Sequence, residues 1–107
     1  MRIVGGSRRT RRLVAPEGRS LRPTSERARE ALFNILGHRD FASFAIRGSH
    51  VIDLFAGTGA LGLEALSRGA AHLTAVESDS AALASLKQNV KSLDFDDKVR
   101  IIQGDAT

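Results

Sequence analysis

The sequence predicts an α/β domain built on a parallel sheet, preceded by a basic arm and a helix. Three observations support this fold class. Strand-like apolar segments alternate with amphipathic helical segments over residues 51–103, which is typical of right-handed β-α-β crossovers. A glycine-rich turn follows the first of these strands. The amino-terminal third, by contrast, is rich in arginine and lacks lysine.

The amino-terminal segment has the pattern of a small hairpin or an extended arm. Residues 1–4 form a short apolar-alternating run that Gly5 and Gly6 interrupt, and residues 11–15 form a second run that ends at Pro16. Because Gly and Pro interrupt regular structure, we expect two short extended pieces joined by a turn.

A helix is expected over residues 25–36. Thr24 can cap the first free N–H groups, and Glu26 suits the positive end of the helix dipole. Gly37 favours termination of the helix. Apolar residues recur at the spacing of one helical face, and this stripe should pack on the domain: Ala28, Ala31, Leu32, Ile35 and Leu36.

The remaining residues predict the order strand, helix, strand, helix, strand. The predicted strands are residues 51–55, 72–76 and 99–103, and the predicted helices are residues 60–68 and 80–93. In the second helix four apolar residues should point inward: Leu83, Leu86, Val90 and Leu93. A doubly wound sheet usually contains further strands, so we expect this chain to form the front part of a larger domain.

Charge divides the chain into two parts. Residues 1–39 contain ten arginines and three acidic residues, whereas residues 40–107 carry a net charge of −3. Arginine grips phosphate through two donors and stacks on bases, so the arm is predicted to contact RNA; a solvated basic surface is the alternative. The candidate RNA-binding residues are Arg8, Arg9, Arg11, Arg12, Arg22 and Arg29.

The glycine-rich turn predicts a nucleotide-like ligand. Gly57, Gly59 and Gly62 match G-x-G-x-x-G directly after a strand and at the start of a helix. In this pattern the first glycine should allow the tight turn, the second should let a ligand lie on bare backbone, and the third should let the helix approach the strand. Glu77, at the end of the next strand, can accept hydrogen bonds from a ribose diol.

Asp53 selects among the possible ligands. A dinucleotide places its pyrophosphate at the helix N-terminus, where a carboxylate four residues before Gly57 would repel it. S-adenosylmethionine instead carries an ammonium and a sulfonium, so it is the predicted cofactor. A turn-forming role is the alternative for Asp53. Asp105 could accept from the adenine amine. The candidate cofactor-binding residues are Asp53, Phe55, Ala56, Gly57, Thr58, Gly59, Glu77, Ser78, Asp105 and Ala106.

Two other function classes stay open at this point: a NAD- or FAD-dependent oxidoreductase and a non-catalytic RNA-binding module. The chain has no cysteine, and its three histidines lack ligand spacing, so we expect no metal site. No signal peptide pattern and no apolar run of about 20 residues occurs. We therefore expect a cytoplasmic monomer without membrane contact.

The residues together resemble a known family. The segment DLFAGTGALGLEALSRGA at 53–70 is similar to the bacterial small-subunit ribosomal RNA guanine-N2 methyltransferases of the RsmD type. Further segments agree with that family: RIVGG at 2–6, RRL at 11–13, RPTSERAREALFNIL at 22–36 and GDA at 104–106. The resemblance implies a Rossmann-like fold that binds S-adenosylmethionine. It also implies methylation of the exocyclic N2 of a guanine in small-subunit ribosomal RNA, or in its assembling ribonucleoprotein particle.

Two features depart from the family pattern. Thr10 stands where the family commonly has the glycine of R-G-R, which affects the local turn. The family's catalytic motif contains adjacent prolines followed by an aromatic residue, but the prolines here, Pro16 and Pro23, are not adjacent. We therefore assign no catalytic residue and expect a chain truncated before that motif. Residues 1–46 are predicted to form the RNA-facing part and residues 47–107 the cofactor-binding half.

Overall fold

A computed structural model describes residues 1–16, 26–38 and 46–105 of the chain. The predicted contacts Arg22 and Ala106 lie outside these ranges. A 3₁₀ turn, Gly6–Arg8, lies in the arm. The helices and strands follow in the predicted order: α1 (Glu26–His38), β1 (His50–Asp53), α2 (Ala60–Ser67), β2 (His72–Glu77), α3 (Ser80–Ser92) and β3 (Val99–Gln103).

The three strands form a parallel sheet in the order β1-β2-β3. Both connections run in the same direction across the sheet, so right-handed crossovers place α2 and α3 on one face. Leu73 and Ala75 of β2 are buried on that face. On the opposite face Ile52 is 64% exposed. The predicted α/β class and parallel sheet are confirmed.

Two boundaries show how local hydrogen bonds set the elements. The helix α3 begins where Asp79 accepts a hydrogen bond from the N–H of Ala82 at 2.8 Å, and the four predicted inward residues of this helix are buried. The strand β1 ends at Asp53, two residues earlier than predicted. The reason is a turn in which Asp53 Oδ1 accepts the N–H of Phe55 at 3.1 Å.

Within the described residues, the predicted apolar stripe of α1 is wrong. Its buried side chains are Arg29 and Phe33, whereas Leu32 and Ile35 are exposed. Contacts with α2 select this face. Arg29 pairs with Glu64, and the guanidinium of Arg68 lies 5.1 Å from the Phe33 ring centroid. The sequence periodicity identifies an apolar stripe on α1. In the structure, however, the buried face of α1 is the one that makes these ionic and cation–π contacts.

The arm is a hairpin that packs into the main core. An antiparallel bridge joins Arg2 to Arg12, and the N–H of Ile3 donates to the carbonyl of Arg11 at 2.9 Å. Ile3 and Leu13 are buried in the same hydrophobic cluster as the helices and the sheet. The predicted hairpin is thus confirmed, and its apolar side chains fasten it to the α/β body.

The carboxylate of Glu64 fastens the arm and α1 to α2. Glu64 Oε1 accepts from the N–H of Val4 at 2.9 Å and from Arg29 Nη1 at 3.4 Å. Its Oε2 accepts from the N–H of Gly5 and from Arg68 Nε, both at 2.9 Å. Burial lowers the pKa of Arg29, and the negative charge of Glu64 opposes that shift. One buried acid therefore organises three segments.

We expect Glu64→Gln to destabilise the chain by about 3–5 kcal/mol, because removing one partner leaves a buried cation uncompensated. Urea-induced unfolding followed by circular dichroism measures this free energy. Glu30→Gln, a change on the exposed side of α1, is the matched control and should stay within about 0.5 kcal/mol of the parent. Equal stability of the two variants would contradict the structural role of Glu64.

Thr10 has a φ of +70°, a left-handed conformation that disfavours a β-branched residue. We expect Thr10→Gly to stabilise the chain by up to about 1 kcal/mol, because the relief of strain exceeds the added flexibility of the unfolded chain. Thr10→Ala keeps a Cβ and should gain less. Thermal unfolding of the three proteins checks this order, and a lower midpoint for Thr10→Gly would refute it.

Candidate functional site

The candidate cofactor residues gather at the carboxyl ends of the strands. The register pairs Asp53 with Ala75 and Glu77 with Gln103, so Asp53 and Glu77 end adjacent strands at one edge. The N–H of Gly104 donates to the carbonyl of Glu77 at 3.1 Å, which brings the segment after β3 to the same place. Open α/β sheets bind ligands at this edge.

The first two glycines of the loop both have positive φ but face different surroundings. Gly57 has a φ of +56°, and a Cβ placed there would meet nothing within 4 Å. Gly59, the N-cap of α2, has a φ of +88°, and a Cβ there would lie 2.4 Å from Leu86 Cδ1. Gly57 therefore presents bare backbone to open space, whereas Gly59 packs inward against α3. A side chain at Gly59 would therefore clash with α3, and the ligand contact of its backbone stays a prediction.

The rest of the loop is held tightly against the core. A Cβ on Gly62 would lie 2.7 Å from the methyl groups of Leu73, which confirms that this glycine lets α2 approach β2. Ala56 and Thr58 are buried, so the loop side chains that extend into solvent are Leu54, which is 50% exposed, and Phe55, which is 72% exposed. The loop thus offers a ligand its backbone more than its side chains.

Glu77 connects the loop to the end of β2. Its Oε1 accepts from the N–H of Gly57 at 2.6 Å, and its Oε2 accepts from the N–H groups of Ser78 at 3.1 Å and Asp79 at 2.8 Å. A carboxylate has about four lone-pair sites, so Oε1 retains capacity for one hydroxyl donor. Glu77 therefore shapes the glycine loop and also has room to accept a ligand hydroxyl.

The edge is acidic. Asp53, Glu77, Asp79 and Asp105 lie in the segments 53–59, 77–80 and 103–105, which contain no lysine or arginine. Asp53 forms the turn to Phe55 through Oδ1, and no group of the described residues bonds to its Oδ2. Like charges repel at short range, so this edge disfavours a diphosphate and favours a cationic ligand.

Asn89 joins the arm to the glycine loop and was not among the predicted site residues. Its Oδ1 accepts from the N–H of Val14 at 2.7 Å. Its Nδ2 donates to the carbonyls of Val14 at 3.0 Å and Thr58 at 2.9 Å. The sequence signal was a polar residue between the inward-facing Leu86 and Val90 of α3. The side-chain amide of Asn89 thus positions the arm relative to the glycine loop.

The predicted RNA-binding arginines divide into two groups. Arg8 Nε donates to the carbonyl of Leu93 at 2.7 Å, and Arg11 Nη2 donates to the carbonyl of Ser92. These two side chains hold the arm on the end of α3. Arg9 and Arg12 are exposed and make no side-chain hydrogen bond or ion pair within the described residues, so these two predicted RNA contacts are accessible cations of the arm.

Arg29 requires a correction. It was predicted to contact RNA, but it is 0% exposed. Its Nη2 donates to the carbonyl of Arg2 at 2.8 Å, and its Nη1 lies 3.4 Å from Glu64 Oε1. RNA phosphate has no access to a guanidinium in this position. Arg29 instead connects α1 to the arm and to α2.

The described ranges contain neither a cluster of metal-binding side chains nor a membrane-spanning helix. Within residues 1–16, 26–38 and 46–105, no group of three or more His, Cys, Asp or Glu side chains could hold a metal ion. In the same ranges no helix has both the length and the apolar character that crossing a membrane requires.

Comparisons with known proteins identify relatives of this chain. The E. coli (strain K12) "Ribosomal RNA small subunit methyltransferase D" is 46% identical over 93 residues, covering 87% of this chain and 44% of that protein. The solved structure of E. coli yhhF is 39% identical with a TM-score of 0.82, covering 99% of this chain and 53% of its own. The chain thus spans about half the length of these relatives.

A more distant structure shares the fold alone. The C-terminal domain of precorrin-6Y C5,15-methyltransferase from Rhodobacter capsulatus is 21% identical with a TM-score of 0.67, covering 86% of this chain and 44% of its own. The predicted Rossmann-like methyltransferase fold is confirmed. Residues 1–107 match the family described as "Conserved hypothetical protein 95". The chain belongs to this family, and its predicted resemblance to ribosomal RNA small subunit methyltransferase D is confirmed.

Proposed function

We propose that this chain supplies the S-adenosylmethionine-binding part of a methyltransferase that acts on small-subunit ribosomal RNA. The observation that carries the proposal is the juxtaposition of two carboxylates, Asp53 and Glu77, with the bare backbone of Gly57 at one edge of the sheet. The name of the E. coli relative, ribosomal RNA small subunit methyltransferase D, supports the class of reaction and of substrate.

The residues present fit S-adenosylmethionine. Glu77 Oε1 would accept from a ribose hydroxyl, Asp53 Oδ2 would face the cationic methionine portion, and Asp105 would accept from the adenine amine. Gly57 leaves space in which the ligand can approach the loop. When bound, the cofactor supplies an electrophilic methyl group, and S-adenosylhomocysteine is the product. In the proposed reaction, N2 of a guanine gains the methyl and loses a proton.

The two parts of the chain would then have different roles. Residues 47–107 would hold the cofactor, and residues 1–46 would contact the RNA through the accessible arginines Arg9 and Arg12. The protein would act as a cytoplasmic monomer on ribosomal RNA or its assembling particle. The hydrogen bonds of Asn89 to Val14 and Thr58 support a fixed spacing between the arm and the cofactor loop.

The catalytic orientation of the guanine needs groups that these residues do not supply. The prolines Pro16 and Pro23 are not adjacent, so the chain has no Pro-Pro-aromatic motif to hold the target amine and stack on the base. We expect the 107-residue chain to bind S-adenosylhomocysteine but to transfer no methyl group to RNA. An assay with radiolabelled S-adenosylmethionine measures this, and incorporation above a no-protein blank would contradict it.

Titration calorimetry with S-adenosylhomocysteine tests the cofactor site. We expect saturable binding, and we expect Asp53→Asn to weaken it about tenfold or more, because a hydrogen bond to a charged group contributes about 1.5–3 kcal/mol. The asparagine retains an Oδ1 for the turn to Phe55, so the loop should keep its shape. Asp96→Asn, in the exposed turn before β3, is the matched control.

Two outcomes would overturn the cofactor assignment. One is the absence of heat at high micromolar S-adenosylhomocysteine. The other is thermal stabilisation by NADH with none by S-adenosylhomocysteine, which would favour the oxidoreductase alternative. Equal loss of affinity in Asp53→Asn and Asp96→Asn would remove Asp53 from the site.

Fluorescence anisotropy with a labelled RNA oligonucleotide tests the arm. Replacing both Arg9 and Arg12 by alanine should weaken binding and flatten its salt dependence, because each lost phosphate contact reduces the slope of log K against log salt by about 0.7–0.9. The control replaces Lys87 and Lys91, exposed on α3, by alanine. An unchanged slope in the arm variant would exclude the arm from the RNA interface.

A further inference from the structure

A basic cavity lies at the opposite edge of the sheet from the cofactor site. It has a volume of about 440 Å³ and is bounded by the 3₁₀ turn of the arm, the end of α2 and the turn before β3. Four cationic residues line it, and no aspartate or glutamate of the described ranges belongs to its lining: Arg8, Arg47, Arg68 and Lys98. Three of these residues were not predicted to bind anything. They are far apart in sequence, and only the fold brings them together.

Two of the cations are held in place before any ligand arrives. The guanidinium of Arg8 lies 4.5 Å from the Phe95 ring centroid, and its Nε donates to the carbonyl of Leu93 at 2.7 Å. Arg68 donates its Nε to Glu64 Oε2 at 2.9 Å. A guanidinium has five N–H donors, so both residues retain donors for an oxyanion. Side chains that are already ordered lose less entropy on binding.

The other two cations are accessible and unneutralised. Arg47 and Lys98 are exposed, and neither pairs with a carboxylate in the part of the chain that the structure describes. The acidic residues Asp94, Asp96 and Asp97 occur in the neighbouring turn, but they do not line the cavity. Arg47 and Lys98 therefore contribute exposed positive charge to the rim of the cavity.

These cations are not needed to cap α2. The N–H of Arg68 already donates to the carbonyls of Glu64 and Ala65, both at 3.1 Å. The N–H groups of Gly69 and Ala70 donate to Leu66 and Ala65 at 3.1 and 3.0 Å. Backbone donors thus satisfy the end of the helix. Because Arg8 and Arg68 already bond to Leu93 and Glu64, the side chains that remain fully available for another anion are those of Arg47 and Lys98.

We propose that this cavity binds a backbone phosphate of the RNA substrate, at a distance from the methylated base. The inference rests on the proposed function for the identity of that substrate. The cavity and the cofactor edge lie at opposite ends of β2. This strand has six residues, so the distance between the two sites is about 20 Å at about 3.3 Å a residue. The phosphate therefore belongs to a nucleotide several positions from the target, or to a neighbouring strand. The arm, which contributes Arg8, lies along the path between the two sites.

The test reverses the two exposed charges. Arg47→Glu with Lys98→Glu is compared with Lys87→Glu and Lys91→Glu, a pair on α3 that changes the net charge equally and lies outside the cavity. Binding of a labelled RNA oligonucleotide is measured by anisotropy over a range of salt concentrations. Binding of S-adenosylhomocysteine by each variant is measured in parallel by calorimetry.

We expect the cavity pair to weaken RNA binding about tenfold or more at about 0.1 M salt and to reduce the salt slope by about 1. The control pair should change affinity less than threefold, and both should bind S-adenosylhomocysteine like the parent chain. If the two pairs weaken RNA binding equally, or if the cavity pair has no effect, the cavity is not an RNA-binding site and the proposal is overturned. If inorganic phosphate stabilises the chain saturably and RNA fails to displace the phosphate, the cavity binds a free anion. This result would also overturn the proposal.

The same measurements separate this inference from the proposed function. If the parent chain fails to bind S-adenosylhomocysteine, the result counts against the cofactor site. The comparison of RNA binding between the two pairs of variants is then still valid. Binding of the cofactor product by a parent chain that does not bind RNA would overturn both the RNA substrate and the phosphate cavity.

Discussion

The arrangement depends on a buried carboxylate, Glu64, which accepts hydrogen bonds from the arm, from α1 and from its own helix. A buried charge is tolerable only when it is paired and hydrogen-bonded, so these contacts fix where the segments lie. Glu64 belongs to α2, the helix that begins at the glycine loop. The arm is therefore bonded to the same helix that begins at the candidate cofactor site.

The two edges of the sheet have opposite charge. Carboxylates gather where the strands end, beside the glycine loop, and Arg8, Arg47, Arg68 and Lys98 surround a cavity near the strand starts. This polarity suits a protein that takes a cationic small molecule at one edge and a polyanion at the other. A uniformly basic surface would favour RNA at both edges and would attract phosphate to the cofactor loop.

The arm is held in place by its apolar side chains and its backbone. Ile3 and Leu13 belong to the core, and Asn89 fixes Val14 next to Thr58 of the glycine loop. The proposed RNA contacts use what remains exposed. Because the arm and the glycine loop share these supports, the distance between them is set by packing.

The sequence alone determined the alternation of strands and helices, the inward face of α3 and the clustering of Asp53, Gly57 and Glu77. These depend on local periodicity and on the rule that parallel strands end at one edge. The tertiary structure decided the face of α1 that is buried and the inward packing of Gly59. It also buried Arg29, a predicted RNA contact, and assembled the basic cavity. Each of these depends on contacts between residues distant in sequence, such as Arg29 with Glu64, which no local pattern encodes.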